Sequence, residues 1–173
     1  GRNVIGISWF DWLRSEDGPL EWFQFIEYAI SSLLALLIYI RIKRKKDINS
    51  IIWLIIAFLS FIIAGEEISW GERISGIGIN FISNINVQGE TNFHNLPFFH
   101  NYLLDPIFEI SGIFLGWIGW RRFNKIKALP SKDLSLFFLF VALFYFYFDA
   151  SWASTTQQIR NDQEIFEFLL STG

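Results

Sequence analysis

Two polar clusters hold most of the side chains able to do chemistry: Gly65-Glu66-Glu67-Ile68-Ser69-Trp70-Gly71-Glu72-Arg73 and Gln88-Gly89-Glu90-Thr91-Asn92-Phe93-His94-Asn95. Paired carboxylates supply general bases, and Glu66, Glu67 and Glu90 are the candidates for that role. Glu90 and His94 stand i, i+4, so on one helical turn they face the same way, the spacing of metal ligands on helices. His100 lies beyond Pro97 and joins them only through a bend in the chain. His94, His100, Glu90 and Asp149 form the candidate metal set, and a divalent ion such as zinc is the cofactor it would take. Its bound water would attack an ester, amide or phosphodiester bond of a lipid.

A second reading uses the same residues structurally. Trp70, Arg73, Asn92, Asn95, Asp105 and Glu109 then join the acids in a hydrogen-bonded network that folds the loop back between helices. On a continuous helix Glu66, Trp70 and Arg73 share one stripe, so either Glu66 or Glu67 meets Arg73 only if the helix continues past Gly71. A third reading makes the acids the mouth of a cation or proton pathway, against which the apolar inner halves of the spans offer no polar track. HExxH, G-x-S-x-G and glycine-rich phosphate loops are all missing from the sequence.

The elements that position these groups are membrane-like. Of 173 residues, 52% are hydrophobic and 19% aromatic, gathered into runs such as Ile51 to Ala64, whose only polar member is Ser60. A helical span needs about 20 apolar residues, and four segments approach this: residues 22–40, 51–69, 102–120 and 134–152. The expected fold is all-α, an integral membrane four-helix bundle in one domain with flanking interfacial amphipathic helices at 1–18 and 161–171 and an outer loop at 70–101. Asn161 or Asp162 is the expected cap of the last helix, whose face of Ile165, Phe166, Leu169 and Leu170 suits a membrane surface. Without cysteine there is no disulfide or thiolate chemistry.

Charge sets the expected orientation. Arg41, Lys43, Arg44, Lys45 and Lys46, with Arg121, Arg122, Lys125, Lys127 and Lys132, place ten of the fourteen basic residues in two short loops. The positive-inside rule makes loops 41–50 and 121–133 cytoplasmic and both termini exoplasmic. The clusters then lie outside, joined at that level by Glu27, Asp105, Glu109 and Asp149 from the other spans. A basic run beside a span reads as a topology signal, so nucleic acid is not an expected partner. Membrane lipids and other membrane subunits are. Gly112 and Gly116 form a small-xxx-small pattern suited to packing inside the bundle or to self-association.

Residues 65–74 and 86–95 resemble a motif of uncharacterised bacterial multi-pass membrane proteins, an EEISWGQR-like helix end followed by an N-x-Q-x-E-x-N-x-H-N-like loop. Glu72 stands where that motif has Gln. The resemblance implies a polytopic membrane protein with a shared outer site and carries no activity. The function expected is a structural or binding subunit of a membrane assembly, with the metal-dependent lipid hydrolase as the alternative.

Overall fold

The computed structural model describes residues 9, 12–13, 18–45, 47–150 and 157–172, and the side-chain surroundings of these except at 45, 101, 148–150 and 157–164. Among the described residues the chain is helical, with no strand. Helix α1, Pro19–Ile42, starts on a proline, whose fixed φ and missing N–H suit a first turn, and Glu21 meets the positive end of the helix dipole there. Helix α2, Ile48–Glu67, is capped by Asp47, whose carboxylate accepts from Ser50 N at 3.0 Å. The last three residues of the loop expected at 41–50 thus belong to the first turn of α2. The expected interfacial segment 1–18 lies outside the described residues apart from Trp9, Trp12, Leu13 and Gly18.

At 1.5 Å per residue α1 and α2 are about 36 and 30 Å long. Among the described residues these two are long and apolar enough to cross a membrane. They pack as a hairpin along small residues: Ala35, Ala57, Ser60 and Ala64 are buried, and Ser32 Oγ donates to the Ala57 carbonyl at 2.8 Å. Small side chains let two backbones approach closely. The bulky residues turn outward, with Leu33 58% and Phe58 62% exposed.

Two one-turn helices follow, α3, Glu72–Ser75, and α4, Asn80–Ser83. The segment expected as a third span is helical but not one α-helix. A π turn at Phe99–Leu103 leads into α5, Leu104–Ile113, and a second at Phe114–Ile118 leads into α6, Gly119–Arg122. Pro106 explains the first: it has no N–H for the ladder and its ring crowds the carbonyl four residues back, which a widened turn accommodates. The segment expected as a fourth span gives α7, Ser135–Ala150, of 16 residues, and residues 151–156 lie outside the described residues. Of the four expected spans, two are helices long and apolar enough to cross a membrane, the third is a helical run interrupted by π turns, and the fourth is a shorter apolar helix.

Gly112 and Gly116 face α7 within the chain. A Cβ on Gly112 would lie 2.7 Å from Ala142 Cβ, and one on Gly116 would lie 2.6 Å from Leu139 N. Phe108 stacks on Tyr145 beside them, with centroids 4.7 Å apart. Replacing Gly116 with leucine is expected to force the π turn at Phe114–Ile118 away from α7, at about 1–3 kcal/mol or more. Thermal unfolding in detergent reads that loss, whereas Gly76→Ala, at a turn with open space around it but a φ of 69°, should cost about 1 kcal/mol.

Helix α8, Gln157–Thr172, begins before the expected cap near Asn161, because nothing between Gln157 and Asp162 interrupts helix formation. It docks against both α1 and α7. Phe166 stacks on Phe144 with centroids 3.8 Å apart, Tyr145 Oη donates to Glu167 at 2.7 Å, and Ser171 Oγ donates to Glu27 at 2.6 Å. At the opposite end Lys127 N donates to Asn49 Oδ1 at 2.8 Å, so the two basic loops meet.

Candidate functional site: a loop bound to the end of α2

Helix α2 stops at Glu67 because the chain reverses in the next three residues. Ser69 and Trp70 take left-handed backbone angles, φ 47° and 53°, and Gly71 follows at 91°. Only the glycine adopts this region without strain; each of the others costs roughly 1–2 kcal/mol. The indole of Trp70 supplies the compensation. It folds back over Gly65, where a Cβ would touch the ring at 3.0 Å, and its Nε1 donates to Glu66 Oε1. Phe61 and Phe93 meet the same ring edge-to-face, with centroids 6.3 and 6.4 Å away. The continuous stripe expected for Glu66, Trp70 and Arg73 is thus corrected: the helix does not continue past Gly71.

The other oxygen of Glu66 gathers the loop. Glu66 Oε2 accepts from Phe93 N at 2.6 Å, from His94 N at 2.9 Å, and lies 3.2 Å from His94 Nδ1. Glu90 works in the reverse direction, from the loop toward the helix ends. Its Oε2 accepts from Ser69 Oγ at 2.8 Å and Asn92 Nδ2 at 2.7 Å, and Arg73 Nη2 reaches both of its oxygens at 3.2 and 3.3 Å. Arg73 Nη1 donates to Glu21 of α1, so one guanidinium joins α1 to the loop.

Further polar groups complete the fold of this loop. Glu72 Oε2 accepts from Thr91 N at 2.7 Å, and Thr91 Oγ1 accepts from Ile79 N at 2.7 Å. Asn86 Nδ2 donates to both oxygens of Asn92 at 2.8 Å, Val87 N donates to Asn95 O at 2.9 Å, and Asn95 Nδ2 donates to Gln88. Asn92 is fully buried, with Ser69, Thr91 and Asn95 nearly so. Residues 84–96 are therefore an irregular loop, and Glu90 and His94 do not share a helical face as their spacing suggested: Glu90 turns to Arg73 and His94 to Glu66.

The structure thus brings together Glu66, Trp70, Arg73, Glu90, Asn92, His94 and Asn95 from the expected network. His100 sits half-buried on the π turn, Asp105 and Glu109 lie on α5, and the Asp149 side chain lies outside the described residues. Among the described residues no three His, Asp or Glu side chains are arranged to hold a metal ion. Glu67 lies within electrostatic reach of Glu167, Glu21, Arg73 and Glu66, and Tyr28 within reach of Glu67, Glu167 and Glu27.

Sequence reasoning left several members out. Glu21 is one of them, although Glu21, Gln24 and Tyr28 repeat at i, i+3 and i+7, a polar stripe along the first turns of α1. Ser69 and Asn86 bear no such signal, and the Tyr145–Glu167 pairing follows only from the docking of α8. The chain matches no protein-family model, no curated protein and no solved structure.

Proposed function

We propose that this chain is a structural or binding subunit of a membrane assembly, in which the loop at 69–96 is a pre-formed recognition cap over the outer ends of the helices. The observation that carries this reading is that both oxygens of Glu66 and both of Glu90 are occupied by donors from the cap and its anchors. A carboxylate so engaged holds structure in place; it has little capacity left to ligate an ion or take a proton from water.

In this proposal four segments cross the membrane, with α5–α6 and α7 as the second pair, both termini exoplasmic, and the basic loops cytoplasmic. Support comes from the outward-facing apolar side chains of α1 and α2, which are not those of buried core helices, and from the meeting of Asn49 with Lys127, which puts the two basic loops at one end. The cap, with Glu21, Arg73 and Glu90, lies at the other.

One observation favours the metal-dependent lipid hydrolase as a second reading. His94 Nδ1 is paired with Glu66, and a carboxylate on one ring nitrogen is how metal-ligating histidines are commonly oriented. Elemental analysis of the purified protein with His94→Ala and Glu90→Ala variants separates the two. The subunit reading expects no stoichiometric metal and two destabilised variants; stoichiometric metal lost in both variants would sink it.

A further inference from the structure

We propose that the basic end of the helices is a binding site for the phosphate headgroup of an anionic phospholipid, centred on Arg121. The inference rests on the membrane reading above and goes beyond it by assigning a ligand class to the end opposite the cap.

Arg121 is held in an unusual way for a surface arginine. Its guanidinium carbon lies 3.3 Å from the ring centroid of Trp117 and 4.5 Å from that of Trp120. Stacking on an indole fixes the plane of the guanidinium and leaves the N–H edge free to form two parallel bonds to a phosphate. Arg121 is exposed, and among the described residues it forms no ion pair. Trp117 is itself 53% exposed, at the end of an apolar helical run, where tryptophan marks the headgroup level of a bilayer.

The second loop raises the charge of the same end. Lys127 N is bound to Asn49 in the first turn of α2, which sets the exposed Lys125 and Lys127 on the same side as the exposed Arg41, Lys43 and Arg44. None of these five cations forms an ion pair among the described residues. Of the two acids nearby, Asp47 is engaged in capping α2, which leaves Asp133 as the exposed one. A surplus of cations beside span ends attracts anionic lipid, and the stacked arginine adds a fixed, directional contact. A soluble phosphate would offer the same headgroup chemistry but no acyl chains for the apolar helix below Trp117.

The test is native mass spectrometry of the protein in a neutral detergent containing equal amounts of phosphatidylglycerol and phosphatidylcholine. Phosphatidylglycerol should be retained preferentially, and Arg121→Gln should reduce its retention about tenfold, the effect of losing one charge-assisted contact. Arg121→Lys, which keeps the charge but not the planar fork, should recover only part of it, and unfolding temperatures of both variants report that the fold is intact. Equal retention of the two lipids, or unchanged retention in Arg121→Gln, overturns the proposal. Displacement of the lipid by millimolar inorganic phosphate overturns it in favour of a soluble anion. Phase separation in a clouding detergent isolates the underlying reading: a chain found in the aqueous phase defeats both, whereas a chain in the detergent phase that holds both lipids equally defeats this inference alone.

Discussion

Replacing Glu66 with alanine is expected to release the cap from the helix ends and to lower stability by about 3–5 kcal/mol, among the largest effects of any single substitution in this chain. The reason is the number of donors left without an acceptor. Trp70 Nε1, Phe93 N and His94 N all end on this one carboxylate, which is itself only 8% exposed. An unsatisfied buried N–H costs about 1–3 kcal/mol, and water entering a loosened cap recovers part of that. Trp70 adds a further consequence. With its indole no longer held over Gly65, the left-handed angles of Ser69 and Trp70 lose their compensation and the reversal after α2 relaxes. Glu66→Gln should fall between wild type and alanine, since its carbonyl oxygen still accepts while its amide hydrogens face donors. Thermal unfolding in detergent gives the order directly.

Removing Arg73 is expected to do comparable damage by a different route. Its side chain is 13% exposed, against 11% for Glu21 and 22% for Glu90, so the three groups form a partly buried acid–base–acid bridge. Arg73→Ala leaves two carboxylates facing each other without a cation, a loss of about 3–5 kcal/mol by the measure of broken buried pairs. Arg73→Lys should restore little, because a single ammonium cannot present the separate N–H edges that reach Glu21 on one side and both oxygens of Glu90 on the other. Pairing Arg73→Ala with Glu21→Gln should recover stability relative to Arg73→Ala alone. A double-mutant cycle measures that coupling, and a coupling near zero contradicts the bridge.

These two effects show which parts of the molecule were legible in the chain. Long apolar runs made α1 and α2 readable to within three residues at either end, because nothing in tertiary packing competes with so strong a pattern. The third apolar run was readable as helical, but its π turns were not, since they answer to local crowding at Pro106 and to the close approach of α7 at Gly116. Charge placement marked Glu66, Arg73, Glu90 and His94 as residues that need partners. It did not tell which partner each would take. That was decided at Ser69-Trp70-Gly71, where a serine and a tryptophan adopt angles that their residue types do not announce. Once the helix is broken there, Arg73 swings away from Glu66 toward Glu21 and Glu90, and the i, i+4 spacing of Glu90 and His94 loses its helical meaning.

Glu67 and Glu167 illustrate the remaining gap. In the sequence Glu67 is a candidate general base and Glu167 carries no signal, and their shared neighbourhood with Tyr28 and Tyr145 exists only because α8 packs back on α1 and α7. The apolar face of α8 suggested a surface helix. The structure uses Phe166 of that face against Phe144, and polar residues of the same helix, Glu167 and Ser171, reach α7 and α1.

Amide hydrogen exchange at Phe93 and His94, compared with Ile77 in the exposed turn, tests the central claim most directly, since these two N–H groups are bound to Glu66 whereas Ile77 N meets only Ser75 Oγ on the surface. A carboxylate-anchored cap predicts that Phe93 and His94 exchange at least tenfold more slowly than Ile77 in the wild-type protein, and that Glu66→Ala removes the difference. Equal exchange at all three positions in the wild type would contradict the account, because the cap would then be an ordinary mobile loop and Glu66 would be available for other chemistry.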